Sequence, residues 1–120
     1  MTQQKKVSDM LVELGDGLLQ TADSQEEMQI YLDLVRIAWN MALEPPARSK
    51  TELKRFIKKQ RRYAPSVKGL KALEGERRRM VERKRHLFPD IDKEALFAQA
   101  IHVDGGDYTI RAYFDPGEQA

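Results

Sequence analysis

Cysteine is absent from the 120 residues, which excludes disulfides, thiolate nucleophiles and thiolate-bound metals together. A secreted domain of this size more often carries disulfide staples, so a reducing, cytoplasmic compartment is expected. Histidine is nearly as scarce. His86 and His102 lie in different segments, and no spacing gathers them with carboxylates into a metal site. No glycine-rich phosphate loop, nucleophile elbow or two-histidine zinc helix is present. Long apolar runs are missing as well. The most apolar stretch, residues 30–43, is broken by Asp33, Arg36 and Asn40, short of the roughly 18 apolar residues of a membrane span. The first residues, Met1-Thr2-Gln3-Gln4-Lys5-Lys6, lead into Asp9, Glu13 and Asp16, unlike a signal peptide. These absences predict a protein that is no enzyme, has no cofactor or metal, and makes no use of a membrane.

A chain of this length suits one domain with one core. The expected organisation is a flexible start over 1–6, a single domain over 7–114 and a loose tail over 115–120. Val7, Met10, Leu11, Leu14, Leu18 and Leu19 keep helical spacing and predict a first helix over about 7–20, weakened by Gly15 and Gly17. Ser24-Gln25-Glu26-Glu27 has the form of a capping box, opening a helix that Glu44-Pro45-Pro46 stops. Wound at about 100° per residue, this helix gathers Gln29, Asp33, Arg36, Asn40 and Glu44 into one narrow polar stripe. The rest of its circumference is apolar, as in a helix surrounded by other elements.

Ser49-Lys50-Thr51-Glu52 repeats the capping-box form. In the helix it opens, Leu53, Phe56 and Ile57 share one side and basic residues the other. A fourth helix is expected from Ser66 to about Leu87, ahead of Phe88-Pro89-Asp90. The pattern then changes to the near alternation of strands in Ile101-His102-Val103 and Tyr108-Thr109-Ile110-Arg111-Ala112-Tyr113-Phe114, with Asp104-Gly105-Gly106-Asp107 as the turn. Residues 95–100 read equally as strand or helix. A lone hairpin is marginal in water, so it must lie on the helices or pair with another chain. The fold class is therefore mainly α (α+β): about four helices around a central apolar helix, with a C-terminal β-hairpin.

The net charge of +2 conceals segregation. Residues 1–47 carry −5, residues 48–86 carry +12, and residues 87–120 carry −5. One reading is a phosphate-attracting face made by Lys54, Arg55, Lys58, Lys59, Arg61 and Arg62, extended by basic residues of 77–85, which marks a candidate nucleic-acid or anion site. The other is internal compensation, with the acidic ends folded back onto the basic middle. Few aromatics interleave with the basic run, which argues against a stacking platform for single strands.

In the fourth helix, Arg77 and Lys84 interrupt an apolar seam of Leu70, Leu73, Met80 and Leu87. Three placements satisfy them: charged heads snorkelling to the rim, pairing with Asp33 or Glu44 on the central helix, or a carboxylate supplied by a ligand or partner.

Leu34-Val35-Arg36-Ile37-Ala38-Trp39-Asn40-Met41-Ala42-Leu43 and Met80-Val81-Glu82-Arg83-Lys84-Arg85-His86-Leu87-Phe88-Pro89-Asp90, followed by a hairpin, together resemble a family of short uncharacterised bacterial helical proteins. Some relatives in that family carry an attached cysteine-rich SEC-C zinc motif, which a cysteine-free chain lacks. The likeness spans about residues 8–114. It implies a bacterial cytosolic origin, no assigned activity, and a packed unit of Trp39, Asn40, Arg83, Lys84 and Phe88. Taken together, these features lead to a protein-interaction module, binding a protein partner or itself, with nucleic-acid binding as the alternative.

Overall fold

The central helix α2 (Gln25–Met41) organises the molecule. Ser24 caps it, its Oγ accepting from the Glu27 N–H at 3.1 Å. The Glu27 carboxylate does not return the bond; it accepts from the Tyr31 hydroxyl at 3.2 Å, so only half of the capping box forms. Ile30, Leu34, Val35, Ile37, Ala38 and Trp39 are all buried, as an almost wholly apolar circumference requires.

The computed structural model describes residues 7–43, 49–63, 70–102 and 108–114. In chain order these form α1 (Val7–Leu14), a 3-10 turn (Leu19–Thr21), α2, α3 (Ser49–Tyr63), α4 (Leu70–Leu87), β1 (Ala95–His102) and β2 (Tyr108–Phe114). The fold is thus mainly α, with four helices and an antiparallel hairpin. The ambiguity at 95–100 is resolved as strand. Among the described residues, no helix is long and apolar enough to cross a membrane. The ends 1–6 and 115–120, the start of the fourth helix near Ser66 and the turn at 104–107 lie outside the described residues.

The first helix stops at Leu14, six residues before the sequence spacing suggests. Two glycines explain the early stop. Gly17 takes a positive φ of 91°, a conformation open to glycine without penalty. A Cβ on Gly15 would stand 2.6 Å from a Val35 methyl, so the turn can pass close to α2 only without a side chain there. Arg83 on α4 closes this helix end, donating to the carbonyls of Leu14 at 2.8 Å and Asp16 at 3.1 Å. It thereby satisfies acceptors that a helix C-terminus leaves unpaired.

Trp39, wholly buried, ties four segments together. Its ring stacks on Phe114 of β2 at 5.0 Å and tilts against Phe88 at 5.6 Å. Its Nε1–H donates to the Lys93 carbonyl at 2.9 Å. Lys84 Nζ stands 5.1 Å from the ring centroid, within reach of a cation–π attraction.

Candidate interaction surfaces

An open strand edge offers a row of unpaired N–H and C=O groups. The hairpin has two such edges, and α2 closes one of them. Asn40, fully buried, donates from Nδ2 to the Ala95 carbonyl at 3.0 Å and accepts the Ala95 N–H at 2.7 Å. Gln29 does the same for the next stretch of strand. Its Nε2 donates to the Ala98 carbonyl at 3.0 Å, and its Oε1 accepts the Ala100 N–H at 2.8 Å. Gln25 reaches the Ala100 carbonyl at 3.4 Å and Arg36 the Ala95 carbonyl at 3.5 Å. A side-chain amide carries one acceptor and two donors, so it can replace the peptide group of a neighbouring strand.

The spacing suits this task. Gln29 and Asn40 are eleven residues apart, about three helical turns and about 16 Å, which puts them on one face. Running the opposite way, β1 covers about 13 Å between Ala95 and the Ala98–Ala100 site, and the longer glutamine makes up the difference. A register shift between Ala95 and Phe97 returns Ala95 to the phase of Ala98 and Ala100. All three are alanine and all are buried, so the helix can approach closely.

The same bonds fix the phase of β2. Since Ala98 and Ala100 turn their backbone groups toward α2, they occupy the non-hydrogen-bonded positions of the antiparallel ladder. Their partners are Ala112 and Ile110, whose N–H and C=O groups must then point away from β1. Among the described residues nothing hydrogen-bonds them. On the outer face of the hairpin Tyr113 is 53% exposed, stacked on Phe97 at 5.2 Å.

A second surface lies on α3. Lys54, Arg55, Lys58 and Lys59 are exposed while Phe56 is buried, as the periodicity suggests. The side chains of Arg61 and Arg62 lie outside the described residues. No ion pair or hydrogen bond engages the four exposed cations among the described residues. On α4, by contrast, Arg77 and Arg78 meet Glu74 at 3.7 and 3.5 Å, Arg85 meets Glu82 at 3.4 Å, and Arg79 pairs with Glu76. Among the described residues these ion pairs on α4 are local to the helix, while Asp92 from the acidic C-terminal segment acts on Lys84.

Between α2, α3 and β1 opens a cleft of about 720 Å³. Arg55, Lys59, Phe97 and Asp33 line it, with Arg36 and Glu52 paired at 2.6 Å across one wall. Burial raises the Asp33 carboxyl above its ordinary value, opposed by the hydrogen bond from Gln29 and the charges of Arg36 and Lys59. Among the described residues no three His, Asp or Glu side chains gather as metal ligands. His86 is exposed on α4.

Lys84 follows none of the three sequence-based placements. It is 3% exposed, donates to the Ile91 carbonyl at 2.5 Å and lies over Trp39, and burial lowers its pKa. Asp33 serves Gln29 instead, and Glu44 lies outside the described residues. Arg77 is partly buried, with Nη1 at 3.8 Å from Met41 Sδ and Nε lacking a partner among the described residues. The five-residue unit implied by the resemblance divides: Trp39, Lys84 and Phe88 pack together, Asn40 holds β1, and Arg83 holds the end of α1.

Gln29 carries no candidate role in the sequence, and Asn40 only its place in the unit implied by the resemblance, although their stripe is visible there. The only signal is a run of polar groups at helical spacing on an otherwise apolar helix. No family model, curated protein or solved structure matches the chain.

Proposed function

We propose that this chain is a non-enzymatic protein-interaction module whose docking element is the outer edge of β2. A cytosolic setting fits its freedom from cysteine. The observation carrying the reading is the asymmetry of the hairpin: β1 has its edge groups satisfied by Gln25, Gln29, Arg36 and Asn40, while those of Ile110 and Ala112 have no acceptor or donor among the described residues. Adding a strand to such an edge supplies main-chain hydrogen bonds for affinity and leaves side chains to select the partner. Ala112→Pro removes the outward N–H without touching the β1–β2 ladder, a change that edge strands tolerate. Partners captured by the wild type from its own cell extract at moderate salt should be lost with Ala112→Pro. Retention of every partner by that variant would refute the reading.

A second reading, nucleic-acid or anion binding, draws support from the four exposed cations of α3, of which Lys59 faces a carboxylate, that of Asp33. It requires affinity for duplex DNA or structured RNA that falls steeply with salt and is lost in Lys54→Glu/Lys58→Glu. Absence of binding at low salt would remove it.

A further inference from the structure

Although α1 packs against β2, the strand itself carries few of the sequence devices by which natural edges avoid pairing. Tyr108–Phe114 contains no proline and no lysine, and its one charge is Arg111. The irregularity of the hairpin lies in β1, between Ala95 and Phe97, so β2 itself is regular. A regular seven-residue edge rich in aromatic and β-branched residues is a template for another strand.

We infer that the strand it takes is β2 of a second copy, antiparallel about a twofold axis at Ala112, giving a continuous four-stranded sheet. The inference rests on the edge-docking reading above. Registers that direct backbone groups at one another must pair even-numbered residues with even-numbered residues, because Ile110 and Ala112 point outward. A twofold at Arg111 would use the whole strand but set Arg111 directly opposite its own copy, and like charges so placed repel. A twofold at Ile110 would leave Tyr113 beyond the paired strands. Centred on Ala112, the dimer places each Arg111 opposite the other copy's Tyr113, the most exposed large apolar side chain among the described residues, with a cation over each ring. Ile110 then faces Phe114 on the inner side, and the smallest side chain of the strand falls on the axis. About six interstrand hydrogen bonds follow from this register.

Sedimentation velocity of the full chain at about 1 and 100 µM, combined with amide exchange at Ile110 and Ala112, tests the inference. A dimer should assemble with concentration, and both amides should slow as it forms. Ala112→Pro should be monomeric while the Ala100 amide stays protected, which shows that the hairpin survives. Tyr113→Arg, which sets two arginines opposite each other, and Arg111→Gln should each weaken the dimer by about tenfold. Tightening by Arg111→Gln would instead place the axis at Arg111 and overturn the register. A dimer that persists in Ala112→Pro uses another surface and overturns the inference. A monomer at 100 µM with fast exchange at both residues overturns self-pairing while leaving the edge free for a different protein. A monomer in which both amides are protected has its edge covered by its own chain, and both the inference and the edge-docking reading then fall.

Discussion

The two edges of the hairpin solve the same physical problem in opposite ways. Along β1, a helix substitutes for a third strand: Asn40 and Gln29 each offer one donor and one acceptor to the strand, and the strand bulges to stay in phase with them. Along β2 the helix α1 packs against the strand, but among the described residues no side chain hydrogen-bonds the backbone of Ile110 or Ala112 as those amides do for β1. The lesson is that polar residues on a central helix can be structural by serving the backbone of another element. Burying an amide is tolerable only when its hydrogen bonds are made, and an exposed strand edge needs what a buried amide offers. The closed edge therefore belongs to the core, and the other is the edge at which docking is proposed.

Removing the Asn40 amide should have the largest effect. Asn40→Ala leaves the Ala95 N–H without its acceptor and takes away the carbonyl's closest donor, in a position with no access to water. A loss of about 2–5 kcal/mol is expected in urea unfolding. A loss below about 0.5 kcal/mol would mean that the edge is not closed by this residue. Gln29→Ala opens the other end of the same edge. Water can reach this partly exposed site, so about 1–2 kcal/mol is expected, with faster exchange of the Ala100 amide. Equal losses for the two variants would contradict the difference in burial on which their ranking depends.

The smallest effect is expected at Asp33, which lies between the two amides and accepts from Gln29 Nε2 at 2.9 Å. Burial raises its pKa from 3.8, so the folded state holds the proton to higher pH than the unfolded chain. Its contribution is complete below pH 3.8 and is lost as pH rises through the raised value. Asp33→Asn keeps an oxygen for Gln29 and removes the buried charge. The variant should melt slightly higher than wild type at pH 7, with the gain disappearing by about pH 3. A gain independent of pH would show that the carboxylate is not the cause.

Much of this architecture was legible in the sequence. The helical periodicity, the Ser24 cap and the proline stop after Leu43 set out α2, and the alternation over 108–114 set out β2. The end of α1 was hidden because it depends on Val35, twenty residues away, and on Arg83, which reaches across from α4. The stripe of Gln29, Asp33, Arg36 and Asn40 was visible, but its purpose was not. Periodicity shows that residues share a face, while the strand that Gln29, Arg36 and Asn40 serve lies 55 to 71 residues further along the chain. Lys84 was misread for a related reason. Its acceptor, the Ile91 carbonyl, belongs to the backbone, and a sequence lists only side chains as candidate partners.

The most direct test of this asymmetry is residue-by-residue hydrogen exchange on dilute wild-type protein. Expected are Ala95 and Ala100 amides that exchange only through large-scale unfolding, beside Ile110 and Ala112 amides close to the rate of an unstructured chain. Comparable protection at all four positions in the dilute monomer would contradict the account, because β2 would then have no open edge to offer.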